Sequence, residues 1–166
     1  MKILGIDPGT VNMGFGVIEA GKNNISLVDY GVLESPGRSS SIEERLSHFY
    51  GALLKIIAHY QPDVMAIEQP FVAKNVKSAL AIGRAQAVAM LAAACNGIPV
   101  YEYAPTEIKQ KVADYGASSK EQVQEMVKLQ LGLLEVPQPN DAADALAVAI
   151  CHLREAQLKS LLDQGK

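Results

Sequence analysis

The order of secondary structure along the chain is the feature that most restricts its fold. Three strands separated by turn residues come first, and later strands alternate with helices. This order predicts a mixed five-stranded sheet flanked by helices, within one domain that spans residues 1–166. The predicted strands cover residues 2–7, 13–20, 25–34, 63–68 and 98–103.

Five helices are predicted from apolar spacing and from the signals at their ends. The first begins at Ser41, which has capping-box spacing to Glu44, and it ends before Pro62. The complete order is β-β-β-α-β-α-β-α-α-α, which is the outline of an α/β, ribonuclease-H-like fold. The other predicted helices cover residues 74–96, 105–113, 118–131 and 139–162.

The second predicted helix is apolar around almost its whole circumference between residues 78 and 94. A surface helix shows a single apolar stripe, so this one is either covered by its own domain or packed on a partner subunit. We favour a homodimer interface. The run contains Arg84 and Gln86 and is too short for a membrane span, so no membrane association is expected.

Composition restricts the location and the state of the thiols. Asp7 comes too early for a signal peptide, so we expect a cytoplasmic protein. Cys95 and Cys151 lie in apolar helical stretches and are expected to be buried and reduced. The net charge of −3 is not that of a strongly basic nucleic-acid binder, but a carboxylate cluster accounts for its sign and leaves room for a local basic face.

Four acidic residues stand at the ends of predicted elements. Asp7 closes the first strand, Glu68 closes the fourth, and Asp141 and Asp144 share one face at the start of the last helix. A carboxylate is costly to bury without a partner. The helix continues with apolar residues that would pack it on the sheet, so we predict that all four carboxylates meet at one site.

Mutual repulsion among these acids predicts bound cations. Two carboxylates about 5 Å apart repel by roughly 3 kcal/mol at an effective dielectric constant near 20. Two Mg²⁺ ions about 3.5–4 Å apart would reverse the sign of that interaction. Oxygen ligands favour Mg²⁺ or Mn²⁺ over Zn²⁺. The four acids therefore predict metal-assisted phosphodiester hydrolysis with two Mg²⁺ ions per subunit, which Mn²⁺ could replace.

Two other functions fit parts of the pattern. Asp7-Pro8-Gly9-Thr10 alone also fits the phosphate-binding hairpin of an actin-like nucleotide-binding module. Such a module has no need for Asp141 and Asp144, and it requires two domains of this kind. The second alternative is a nuclease of the same fold that acts on another nucleic acid.

Several segments resemble the RuvC family of Holliday-junction resolvases, and the resemblance extends to about His152. These segments are Gly5-Ile-Asp-Pro-Gly-Thr10, Ala66-Ile-Glu-Gln69 with Phe71 and Ala73-Lys-Asn75, Ser78-Ala-Leu80, Glu102-Tyr-Ala104, Ile108-Lys-Gln110, Lys120 through Gln122-Val-Gln124 to Met126-Val127, and Asp141-Ala-Ala-Asp-Ala-Leu146.

The resemblance implies a ribonuclease-H-like fold, a symmetric homodimer and Mg²⁺-dependent paired nicking of four-way DNA junctions in recombination and repair. A branch-migration helicase complex would be a further partner. Motif position implies that Phe71 stacks near the crossover and that Lys109 and Lys120 meet phosphate. The catalytic acids implied by the family pattern are Asp7, Glu68, Asp141 and Asp144.

Two positions depart from the family pattern. Gly83-Arg-Ala-Gln-Ala87 stands where the family tends to have Gly-Gln-Ala-Arg-Gly, so Arg84 and Gln86 exchange places. Pro70 precedes Phe71 and stiffens the approach to it. Both departures concern DNA or dimer contacts, and neither changes the four acids.

Overall fold

The computed structural model describes residues 1–21, 24–37, 39–70 and 75–164. Its ten elements follow the predicted order, with ends that differ from the prediction by at most two residues. The strands are β1 (Lys2–Asp7), β2 (Asn12–Ala20), β3 (Ile25–Glu34), β4 (Val64–Glu68) and β5 (Val100–Tyr103). The helices are α1 (Ile42–Tyr60), α2 (Val76–Cys95), α3 (Pro105–Ala113), α4 (Lys120–Gln130) and α5 (Asn140–Gln164).

The five strands form one mixed sheet in the order β3-β2-β1-β4-β5. The strand β1 lies at its centre, antiparallel to β2 and parallel to β4, and β4 is parallel to β5. Parallel neighbours end at the same edge of a sheet. Asp7 and Glu68, the last residues of β1 and β4, therefore leave the sheet side by side.

Alternate residues of the central strands build a separate core on each face of the sheet. Leu4 and Ile6 face α1 and α2, together with Phe49 of α1 and Ala89 of α2. Ile3 lies in the other core, which contains residues of α3, α4 and α5. The helix α1 begins with the predicted capping box, in which Ser41 and Glu44 each accept a hydrogen bond from the other's backbone N–H.

Glycines let α5 lie unusually close to the sheet. A Cβ atom on Gly5 would stand 2.1 Å from the carbonyl oxygen of Ala145, and one on Gly14 would stand 2.0 Å from that of Asp141. Side chains larger than hydrogen are thus excluded where the helix crosses β1 and β2. This contact fixes the start of α5, and with it the two acids of its first turns, against the end of β1.

The helix α2 is only partly covered by its own domain. Ala85, Ala89 and Ala92 are buried, whereas Leu80 and Leu91 are more than half exposed. By length and composition alone, α2 could cross a membrane. From the sequence we expected its apolar run to be too short, because we required an uninterrupted run of uncharged residues. In this structure α2 packs against α1. The predicted burial of both thiols was wrong for one of them: Cys95 is exposed at the end of α2, and Cys151 is buried.

Candidate active site

The structure brings the four predicted acids together at one edge of the sheet. Carboxylate oxygens of Asp7, Asp141 and Asp144 all lie within 4.8 Å of one another. Glu68 lines the same cavity as Asp7 and Asp144, and its charge acts on the carboxylate of Asp7. We call these four residues the acidic site.

Burial and charge repulsion raise the pKa of two members of the acidic site, Asp7 and Glu68. Burial is the main cause that raises the pKa of Asp7 to about 8, and the charges of Glu68, Asp144 and Asp141 add to the effect. Burial also raises the pKa of Glu68, with a further contribution from the charge of Asp144. Acids whose ionised forms repel one another in a partly desolvated place are typical of functional sites.

Two lysines stand on the wall of the same cavity. Lys109 and Lys120 line a space of about 340 Å³ together with Asp7, Glu68 and Asp144. The Nζ atom of Lys120 lies 2.5 Å from Oδ2 of Asp144. Burial alone would lower the pKa of Lys120, but its hydrogen bond to Asp144 and the nearby acids raise it, so this side chain carries a charge beside the carboxylates.

The surroundings of the acidic site include one of the two family departures. A second cavity of about 200 Å³ is lined by Asp7 and Glu68 and also by Pro70 and Ile82. Pro70 therefore lies beside two of the acids, whereas from the sequence we connected it only with the approach to Phe71. Phe71, the predicted stacking aromatic, lies outside the described residues.

The other departure has a local structural explanation. Gln86 is buried, and its Nε2 atom donates to Oε2 of Glu102 at 2.9 Å and approaches the carbonyl oxygen of Glu68 at 3.4 Å. Arg84 is exposed on α2. The exchange therefore places a neutral amide in the interior, next to the backbone of Glu68, and a cation on the helix surface.

Sequence reasoning missed a contact made by Gln124. Its Nε2 atom donates a hydrogen bond to Oδ1 of Asp144 at 3.1 Å, and the side chain is buried. Gln124 follows Lys120 by one helical turn, so both face Asp144 from α4. The sequence offered that spacing and the place of Gln124 in a family segment, and both became informative only once α4 was known to pack on α5.

Comparisons with known proteins show that the chain is similar to one family of nucleases. The family model of crossover junction endodeoxyribonuclease RuvC matches residues 3–152. A protein of that name from Dehalococcoides mccartyi is 54% identical over 165 residues, which cover 99% of this chain and 98% of the relative.

Two solved structures show the same fold. The Thermus thermophilus RuvC structure superposes with a TM-score of 0.87 at 33% identity, covering 96% of this chain and 97% of the other. T. thermophilus RuvC in complex with a Holliday junction substrate gives a TM-score of 0.89 at 33% identity, with 96% of each chain covered. These matches confirm the predicted ribonuclease-H-like fold class.

Proposed function

The chain belongs to the crossover junction endodeoxyribonuclease RuvC family, and we propose that it resolves four-way DNA junctions by paired, symmetric nicks. The reaction is the endonucleolytic hydrolysis of phosphodiester bonds in DNA recombination and repair. The related T. thermophilus protein has been described with a Holliday junction substrate. The match over residues 3–152 favours this nuclease over an actin-like nucleotide-binding module.

The observation that carries the proposal is the convergence of carboxylates at the acidic site. Its donors are all oxygens, which fit Mg²⁺ or Mn²⁺. Asp7, Asp141 and Asp144 would hold the cations, two for each subunit, with Glu68 completing the set. When bound, such cations activate a water for attack on phosphorus and stabilise the leaving 3′-oxygen.

The lysines of the cavity would bind the DNA backbone. Lys120 is half exposed, so its ammonium group can move from Asp144 to a phosphate oxygen. Lys109 lies on the same cavity wall and would bind a neighbouring part of the backbone. Phosphate contacts of this kind supply affinity and register and leave selection to the shape of the junction.

Phe71 remains a prediction of the family resemblance. It follows Glu68 by three residues, which would place its ring near the scissile strand. Stacking of a base on an aromatic side chain contributes about 1–3 kcal/mol. A stacked ring would hold the bases apart at the crossover.

We propose that the protein acts as a homodimer through the exposed side of α2. Val76 is 72% exposed, Leu80 58% and Leu91 55%, so the helix presents several large apolar side chains to solvent. These three residues, which we call the α2 face, lie along one side of the helix. A two-fold axis through such an interface relates two acidic sites, as the symmetry of a four-way junction relates two strands.

Two expectations about the cellular setting stay predictions. A branch-migration helicase complex would deliver the junction, and the protein would act in the cytoplasm. Pull-down of the helicase by the full chain would test the first, and fractionation of cells would test the second.

The test of the proposed function is cleavage of a mobile four-way junction with mapped nick sites. With Mg²⁺ we expect symmetric nicks in two opposed strands that leave 5′-phosphates. Asp7→Asn should lower the cleavage rate more than about 100-fold, because even groups that only orient metal ligands are worth 10–100-fold. Junction binding by this variant, measured by gel shift in Ca²⁺, should stay near that of the wild type.

Parallel assays separate the remaining alternative within the same fold. Linear duplex and an RNA–DNA hybrid are offered at the same concentration as the junction. Preferential cutting of the hybrid would show that the acids serve a different nuclease. Undiminished nicking by Asp7→Asn would show that the acidic site is not the catalytic centre.

A further inference from the structure

We infer that Gln124 is a positioning residue that fixes the orientation of Asp144 at the acidic site. The inference rests on the proposed function, since it assumes that Asp144 is a cation ligand. It concerns a neutral side chain on α4 that would act through Asp144 and not as a cation ligand. Its contact is the 3.1 Å hydrogen bond from Nε2 of Gln124 to Oδ1 of Asp144.

The two oxygens of Asp144 have different partners on α4. Oδ1 accepts from Gln124, and Oδ2 accepts from Lys120 at 2.5 Å. A carboxylate has about four lone-pair sites, so each oxygen can still face a cation while it accepts one hydrogen bond. The pair of bonds fixes the plane of the carboxylate.

The two partners of Asp144, Lys120 and Gln124, differ in exposure and in charge. The side chain of Lys120 is 51% exposed, so it is free to leave Asp144 for a phosphate, and a divalent cation would repel it. Gln124 is 7% exposed and neutral, so neither a phosphate nor a divalent cation draws its amide away from Asp144. We therefore expect the bond from Gln124 to persist when the site is loaded with cations and DNA.

The position of Gln124 is itself fixed by packing. Val123 and Val127, its neighbours on α4, are buried in the core that α4 shares with α5. A side chain held in this way has little freedom to lose when it orients a ligand. Hydrogen-bonded partners of metal ligands typically change metal affinity or activity by about 10–100-fold when removed.

The experiment compares Gln124→Met with Gln130→Met in the full-length protein. Methionine keeps the length and the packing of glutamine but removes the hydrogen-bonding amide. Gln130 lies on the same helix and ties it to its neighbours, since Nε2 donates to the carbonyl of Val112 and Oε1 accepts from Arg154, both at 2.9 Å. It therefore controls for any general loosening of α4.

The first measurement is Mn²⁺ binding by calorimetry without DNA. Gln124→Met should bind Mn²⁺ at least about 10-fold more weakly than the wild type, and Gln130→Met should match the wild type. The second measurement is the Mg²⁺ dependence of junction cleavage. Gln124→Met should need a higher Mg²⁺ concentration for half-maximal rate, while its junction affinity in Ca²⁺ stays unchanged.

The outcomes distinguish this inference from the proposed function. Equal Mn²⁺ affinity for Gln124→Met and wild type would overturn the positioning role, as would equal weakening by both variants. A wild type that binds Mn²⁺ but cuts no junction would overturn the proposed function alone. A wild type that binds no Mn²⁺ without DNA would overturn the positioning role, and it would overturn the proposed function as well only if it also cut no junction.

Discussion

Asp7 is a carboxylate whose buried position beside other acids lowers the stability of the folded protein once it ionises. It ends the central strand, where burial and three neighbouring acids hold its pKa at about 8 without cations. An ordinary aspartate has a pKa near 3.8. Between these two pH values, the folded protein therefore keeps a proton on Asp7 that the unfolded chain has already lost.

This difference predicts how the stability of the cation-free protein depends on pH. The folded state binds more protons than the unfolded state, so the contribution of Asp7 is fully present below pH 4 and is lost as pH rises through about 8. In EDTA, the free energy of unfolding should fall as pH rises from about 4 to about 8, by at most about 1.4 kcal/mol per pH unit for this one group, and level off above that. Urea unfolding at several pH values measures it.

Asp7→Asn is the matched variant for that measurement. It removes the titrating group, so its unfolding free energy should depend less on pH over the same range. At pH 8 in EDTA it should be more stable than the wild type by about 0.5–2 kcal/mol, as is common when a strained functional charge is removed. Identical pH profiles for the two proteins would show that Asp7 is not perturbed in this way.

At the scale of elements, the close packing of α5 on the sheet decides where the acids stand. Gly14 pairs with Asp7 across β1 and β2, and a Cβ atom on it would meet the carbonyl oxygen of Asp141. Gly14 therefore lies between Asp7 of β1 and Asp141 of α5. The glycines of β1 and β2 are therefore as necessary for the geometry of the site as the carboxylates themselves.

We predict that Gly14→Ala displaces the first turn of α5. Overpacking of this kind costs about 1–3 kcal/mol of stability, and cleavage should fall more than stability alone explains because Asp141 moves. The control is Gly51→Ala on α1, where an added Cβ meets nothing within 4 Å. That change should stabilise the protein by about 0.5–1 kcal/mol. Melting temperatures and cleavage rates of both variants check the prediction; wild-type activity in Gly14→Ala would contradict it.

At the scale of the whole molecule, the α2 face predicts the assembly. Leu80→Glu combined with Leu91→Glu should convert a dimer to a monomer, because two charges would be buried in an apolar interface. Light scattering after gel filtration measures the mass. The monomer should lose paired nicking of junctions, and its melting temperature should no longer depend on protein concentration.

Leu129→Glu is the control for added charge on an exposed leucine. Leu129 lies on α4 and is 61% exposed, so its replacement should leave the mass unchanged. If the α2 double variant remains dimeric, the interface lies elsewhere. If the wild type is monomeric at the concentrations used for cleavage, paired nicking needs another explanation.

The element order and the identity of the four acids followed from local sequence signals. Strand and helix patterns depend on neighbouring residues, so the capping box of Ser41 and the strand that ends at Glu68 were predicted close to their observed bounds. The exposure of Cys95 was not predictable in this way, because an evenly apolar helix does not reveal which side its domain covers.

The sequence by itself determined the elements, the fold class and the four carboxylates that the structure brings together, because periodicity, turn residues and family motifs can all be recognised in the sequence. Only the tertiary structure decided how these residues meet. The parallel pairing of β1 with β4, the glycine-lined docking of α5, and the approach of Gln124 to Asp144 join residues far apart in sequence. Such contacts arise from packing between elements, and the local sequence pattern of one element contains no information about how it packs on another.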